Sequence, residues 1–256
     1  MITLLTDFGA NSIYATQAQV WLKSREKNLE IVDISHQIHA CDINEAAYVL
    51  ELMIQSFPEN TVHIVAVDFD ERHEQTEIVH FRWKGQHILT YNNGFASLCL
   101  KSQDASSIHL LGSYDGAHLT SVPNVFGQHA LDLIHEPQND KTYSIADQAH
   151  IKTALQPVSN GESLIGHVLY FDARGTAYTN ITQNDIEAFA PNGGVSVVLS
   201  RHERLDKISN GLQYNEGGST FCYFNGAGYL TIEMHRGTVK SMYGLQKGQK
   251  LVIEKR

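Results

Sequence analysis

Apolar runs and amphipathic stretches alternate along the first half of the chain, which is the pattern of strands and helices taken in turn. Residues 2–5 form a short apolar run, and after the loop Thr6-Asp7-Phe8-Gly9-Ala10-Asn11 the spacing predicts a helix from Ile13 to Lys23, then a strand from Glu30 to Ile34. Asp42 and Glu45 stand three apart before Ala46-Ala47-Tyr48-Val49-Leu50, the spacing of a capping box, so a helix begins there and ends before Phe57-Pro58-Glu59-Asn60. Val62 to Val67 is almost continuously apolar, as expected of a strand buried on both faces of a mainly parallel sheet, with Asp68 at its C-terminal end. Ile78 to Trp83 and His87 to Tyr91 flank Lys84-Gly85-Gln86 as a hairpin, and Asn92-Asn93-Gly94 signals a turn directly afterwards. A further helix is expected from near Asn124 through Ile134.

The pattern then changes. Glu136 to Gly161 is polar, carries Pro137 and Pro157, and reads as a connection. Beyond it, Leu164 to Phe171, Ala177 to Ile181, Val195 to Leu199, Ser219 to Phe224, Tyr229 to Ile232 and Leu251 to Glu254 are strand-like segments separated by turn residues. The predicted fold class is therefore α/β: an N-terminal α/β domain over 1–150 with a largely parallel central sheet, and a smaller C-terminal antiparallel β domain over 160–256.

Composition narrows the function classes. With 42% hydrophobic and 18% charged residues in 256, the chain can bury a real core. Nineteen Lys and Arg against 28 Asp and Glu give a net charge of −9, the wrong sign for a protein that works on nucleic acid or anionic membrane. Three cysteines, Cys41, Cys99 and Cys222, are odd in number and far apart, which argues against a disulfide framework and fits a reducing cytoplasm. No P-loop or GxSxG motif is present, and the GxG within Asn225-Gly226-Ala227-Gly228 lies between strands without a following helix. His36 with His39, and Asp68 and Asp70 with His73, are the clusters with a metal-like choice of side chains, though scattered histidines and charged loops produce such groupings by chance.

An ordered series of segments carries more information than any one of them. Thr6-Asp7-Phe8-Gly9, Val32-Asp33-Ile34-Ser35-His36, Phe57-Pro58-Glu59-Asn60-Thr61-Val62-His63 ending at Asp68, Asn92-Asn93-Gly94, Asn124-Val125-Phe126, Gly166-His167-Val168-Leu169-Tyr170-Phe171-Asp172, Thr179-Asn180-Ile181 and Asn225-Gly226-Ala227-Gly228-Tyr229-Leu230 follow one another across nearly the whole chain. Together they resemble the S-adenosylmethionine (SAM) hydroxide adenosyltransferase family, related to SAM-dependent fluorinases and chlorinases. The resemblance implies attack of water or hydroxide on the ribose C5′ of SAM, giving adenosine and L-methionine, in a homotrimer with the ligand between domains of neighbouring subunits and with no metal or other cofactor. By position, Asp7 would accept the ribose hydroxyls, Asp172 would face the methionine amino group, and Cys41, Asn93, Tyr178 and Asn225 fall at substrate-binding places. Asp68 matches the acidic member of a water-activating Asp-Arg-His set, with Arg72 the candidate arginine. Ser121 stands where relatives carry the histidine, Arg174 and Thr176 replace an adenine-contacting Phe and Asn, and Gly226 and Ala227 replace a carboxylate-binding Ser-Arg pair. An alternative expectation is a relative without efficient turnover that binds an adenosine-like ligand as a trimeric module.

Overall fold

The computed structural model describes residues 1–69, 75–101, 107–115, 122–137, 149–209 and 217–256. They fall into two units, Met1–Ala154 and Leu155–Arg256.

The first unit is built on six strands: β1 (Ile2–Thr6), β2 (Ile31–Ser35), β3 (Val62–Ala66), β4 (Gln75–Trp83), β5 (Gln86–Tyr91) and β6 (His109–Asp115), in the sheet order β2-β1-β3-β5-β4-β6. The first four in that order run parallel, and β4 is antiparallel to both β5 and β6. Every residue of β1, β3 and β5 is buried, which is why β1 and β3 read as mainly apolar runs without alternation, while β5 carries the buried polar residues Gln86, His87 and Thr90. Helices α1 (Ile13–Arg25) and α4 (Val122–His135) cover one face, where Leu22, Phe126 and Ala130 meet Leu4, Ile64 and Leu89. Helices α2 (Ile43–Met53) and α3 (Phe95–Leu100) cover the other, where Leu50, Phe95 and Leu98 meet Leu5, Val65, Phe81 and Ile88. The β4–β5 hairpin turns through Lys84 and Gly85, both at positive φ, as a two-residue turn matched to strand twist requires.

The caps differ in part from the sequence reading. Asp42 does accept the Glu45 N–H at 2.9 Å, but the Glu45 carboxylate turns away to the His39 ring at 2.7 Å, so only one arm of the capping box forms. Helix α1 is capped by Ser12, whose hydroxyl accepts the Tyr14 N–H at 3.1 Å. That releases Asp7 from capping it.

The second unit contains β7 (Val158–Ser159), β8 (Ser163–Phe171), β9 (Ala177–Thr182), β10 (Val195–Val198), β11 (Arg204–Leu205), β12 (Ile208–Ser209), β13 (Thr220–Phe224), β14 (Tyr229–Met234) and β15 (Lys250–Lys255). The sheet order is β11-β10-β15-β8-β9-β14-β13-β12, with β7 beside β8, and all pairs are antiparallel except β12 with β13. Strand β8 alternates buried and half-buried positions, and its inward Leu164 and Val168 join Ile181, Val197, Leu230, Ile232 and Ile253 in a core of their own. Two short helices interrupt the strand pattern read from the sequence: α5 (Gln183–Phe189), opened by a complete Thr182–Asp185 capping box, and α6 (Val239–Tyr243), capped by Thr238. Among the described residues no helix is long and apolar enough to cross a membrane.

Candidate active site

Because β2, β1, β3 and β5 are parallel, the loops that leave their C-terminal ends emerge along one edge of the sheet, where open α/β sheets place ligands. Here those loops are tied to one another. Leaving β1, Asp7 accepts two backbone N–H groups on the same oxygen, Oδ2: from Cys41 at 3.0 Å and from Asp68 at 3.1 Å. Leaving β5, Asn93 donates its amide to the Val67 carbonyl at 2.9 Å, while its oxygen accepts the Phe95 N–H at 3.2 Å. Leaving β2, the His36 carbonyl accepts the Gly9 N–H at 2.7 Å, and the His36 ring meets the Thr6 hydroxyl at 2.9 Å.

The two residues that donate to Asp7 share an unusual backbone. Cys41 and Asp68 both have φ of 61°. A non-glycine residue in this left-handed region costs about 1 kcal/mol or more, whereas a hydrogen bond to a charged acceptor contributes roughly 1.5–3 kcal/mol. The carboxylate of Asp7 therefore holds both strained residues in place. Its other oxygen, Oδ1, has no hydrogen-bond partner among the described residues, and neither does the half-buried carboxylate of Asp68. Two acceptors are thus presented at the strand ends on a backbone fixed from three sides, as a site for hydroxyl groups and a water molecule requires.

Tyr91, the last residue of β5, shows in the sequence only as the end of a strand. It is 5% exposed, its ring lies between Phe69 and Phe126 at centroid distances of 5.6 and 5.1 Å, and its hydroxyl has no hydrogen-bond partner among the described residues. Burial, and next to it the charge of Asp7, hold its phenol far above the ordinary tyrosine range, so it stays protonated. An aromatic residue before a turn signal looks the same in sequence whether it fills a core or ends at a site.

Of the other residues singled out, Cys41 is exposed at this edge, and Asn93 acts through the loops it ties together. Arg72, Asp70, His73 and Ser121 lie outside the described residues. Of the paired histidines, His36 is engaged with Thr6 and His39 with Glu45. Among the described residues no group of three or more His, Cys, Asp and Glu is placed to hold a metal ion.

In the second unit Asp172 closes the β8–β9 turn. Its Oδ1 accepts the N–H groups of Arg174 and Thr176, both at 2.9 Å, and its Oδ2 accepts the Tyr178 hydroxyl at 3.4 Å. Register places Tyr170, Tyr178, Thr231 and Tyr223 opposite one another across β8, β9, β14 and β13. Glu233 accepts from Tyr223 at 3.3 Å and pairs with Arg174 at 3.1 Å. Burial first and Glu233 second push the Tyr223 phenol up to about 12, and burial with Asp172 raises Tyr178 further. A row of neutral phenols beside two carboxylates is suited to a small cation. Asn225 accepts the N–H groups of Ala227 and Tyr229 and donates to Thr231, hydrogen bonds that all serve its own turn.

Two family models match this chain in series: the SAM hydroxide adenosyltransferase N-terminal domain over residues 2–136 and the C-terminal domain over 166–252. The chain belongs to the SAM hydroxide adenosyltransferase family. A relative named (R)-S-adenosyl-L-methionine hydrolase, from Methanocaldococcus jannaschii, is 37% identical over 98 residues; the match spans 37% of this chain and 37% of the relative. A second protein of that name, from Thermus thermophilus, is 23% identical over 96% of both chains. Among solved structures, an uncharacterized conserved protein from Thermotoga maritima superposes with a TM-score of 0.84 over 99% of each chain at 22% identity. A conserved hypothetical protein from Thermus thermophilus gives 0.70 at 20% identity, covering 100% of this chain and 99% of that one. At those identities the two structures speak to the fold of this SAM hydroxide adenosyltransferase family member alone.

Proposed function

We propose that this protein hydrolyses SAM by attack of water on the ribose C5′, releasing adenosine and L-methionine, and that it does so as a homotrimer in the cytoplasm without metal or other cofactor. The oxygen of water forms the new bond to C5′. The C5′–S bond breaks with its electron pair going to sulfur, so a cationic sulfonium becomes a neutral thioether, and the water proton is released. Because the leaving group needs no protonation, the protein's task is to align the water opposite the C–S bond and to desolvate it.

The observation that carries this reading is the division of labour at Asp7, with one oxygen occupied by the N–H groups of Cys41 and Asp68 and the other without a hydrogen-bond partner among the described residues. In this reading Oδ1 of Asp7 accepts a ribose hydroxyl, and Asp68, held beside it by the same carboxylate, accepts a proton from the attacking water. Arg72 is assigned to orient that water. Cys41 and Asn93 shape the pocket wall, and Asp172 with Tyr178 receives the cationic end of methionine, with Asn225 shaping the turn beside them. The names of the two relatives, both hydrolases of (R)-S-adenosyl-L-methionine, support the same substrate class.

Asp7→Asn tests it. The amide retains an oxygen for both N–H groups, so the fold persists, but the loss of charge weakens adenosine binding by about 1.5–3 kcal/mol, which is roughly 10- to 150-fold in Kd. Isothermal calorimetry with adenosine reads this directly. Unchanged affinity in a folded variant would leave Asp7 with loop tethering as its only task.

A further inference from the structure

A complete capping box joins two side chains at the start of a helix, and α2 forms only half of one. The missing arm belongs to Glu45, whose carboxylate is 1% exposed and is directed into the loop that precedes the helix. One oxygen accepts the backbone N–H of His39 at 3.4 Å, and the other meets Nδ1 of the His39 ring at 2.7 Å. A carboxylate only accepts, so Nδ1 carries the proton. The ring itself is 69% exposed, so packing does not explain its place. A helix that forgoes a cap to hold a surface histidine breaks a local rule, and such breaks gather at functional or strained sites.

His39 opens a four-residue turn that closes through the Asp42 N–H on the His39 carbonyl at 3.0 Å. Cys41 is its third residue, with φ of 61°, where glycine or asparagine is the ordinary choice. The same turn delivers the Cys41 N–H to Oδ2 of Asp7 at 3.0 Å. Both ends of the turn are fastened to one residue of α2: His39 to the Glu45 carboxylate, and Asp42, through its side chain, to the Glu45 N–H at 2.9 Å.

We propose that His39 is a positioning residue for the candidate active site: its ring, seated on Glu45, holds turn 39–42 so that the Cys41 N–H fixes the Asp7 carboxylate for a ribose hydroxyl. Without the ring, only the 3.4 Å contact ties the first corner of the turn to Glu45, and Asp7 loses its hold on one of the two N–H groups that orient it. This inference rests on the adenosyl reading above. Asp7 would meet the ribose in substrate and transition state alike, so the loss falls on binding more than on turnover.

His39→Ala, His39→Asn and the double variant Asp7→Asn/His39→Ala test the assignment, with adenosine calorimetry and steady-state kinetics on SAM. In His39→Ala, adenosine affinity is expected to fall about 10-fold and KM for SAM to rise by a similar factor, with kcat within about threefold of wild type. Asparagine places an amide N–H about where Nδ1 stands, so His39→Asn is expected to restore affinity to within about threefold. In the Asp7→Asn background, His39→Ala should cost less than about threefold, because the two residues act on one interaction. A purely structural role would lower the melting temperature and leave these affinities alone. Unchanged adenosine affinity in His39→Ala would overturn the proposal, as would an equal loss in His39→Asn or a full 10-fold loss in the Asp7→Asn background. A wild type that binds no adenosine would remove the adenosyl reading itself, and this inference with it.

Discussion

Replacing Asp68 with Asn is expected to reduce adenosine production from SAM by roughly 100- to 10,000-fold, the loss that accompanies removal of a positioned proton acceptor. The substitution is chosen for the backbone. Asp68 has φ of 61°, a conformation that Asn adopts readily and Ala does not, and its N–H and carbonyl hold Asp7 and Asn93 whatever the side chain. Adenosine affinity should accordingly stay within about twofold of wild type. Single-turnover product formation measured beside calorimetry separates the two effects. Wild-type turnover in Asp68→Asn would take this carboxylate out of the chemistry and leave it a turn residue.

Lowering the pH from 7.5 to 5 is expected to cost the folded first unit about 4 kcal/mol. His63 and His80 are buried in the sheet, His80 at 4% exposure with its Nε2 3.0 Å from Nδ1 of His87 and its ring stacked near that of His109. Burial lowers His63 to about 4, and burial together with the neighbouring imidazoles lowers His80 to about 3. Both folded values lie below the unfolded 6.5, so above pH 6.5 both histidines are neutral in either state and nothing is lost. As pH falls below 6.5 the unfolded chain takes up protons that the folded one refuses, and stability declines until pH reaches the folded values. At pH 5 the gap to 6.5 is worth about 2 kcal/mol for each histidine. Urea unfolding at the two pH values should show the midpoint falling at pH 5; an unchanged midpoint would mean that these imidazoles accept protons without unfolding the sheet.

How much of this was legible beforehand depended on which signal each element carries. The almost continuous apolar run from Val62 marked a strand covered on both faces and appears as read, whereas the hairpin read at Lys84-Gly85-Gln86 forms with a shorter turn, Gln86 pairing with Trp83 as the first residue of β5. Helix α3 escaped because Phe95 to Cys99 are all buried and Gly94 caps it with backbone alone, leaving neither amphipathic period nor side-chain cap to see. Helix α5 carries a visible signal in Thr182 with Asp185, three apart as in a capping box. Strand β6 follows a stretch with little pattern and lies at the sheet edge, where burial imposes less on sequence. At the site, Asp7 and Asp68 were legible as carboxylates after strands. Their linkage through one oxygen was not, because it joins residues 61 positions apart and depends on two left-handed backbones that sequence does not announce.

The central claim is that water becomes bonded to the ribose C5′ carbon. Incubation of the protein with SAM, supplied as a mixture of both sulfonium epimers in ¹⁸O-labelled water, and mass spectrometry of the products test it most directly. The expected result is adenosine carrying one ¹⁸O at the 5′ position and unlabelled methionine in equal amount. Unconsumed SAM, or products in which the adenosyl C5′ carries no label, would contradict it.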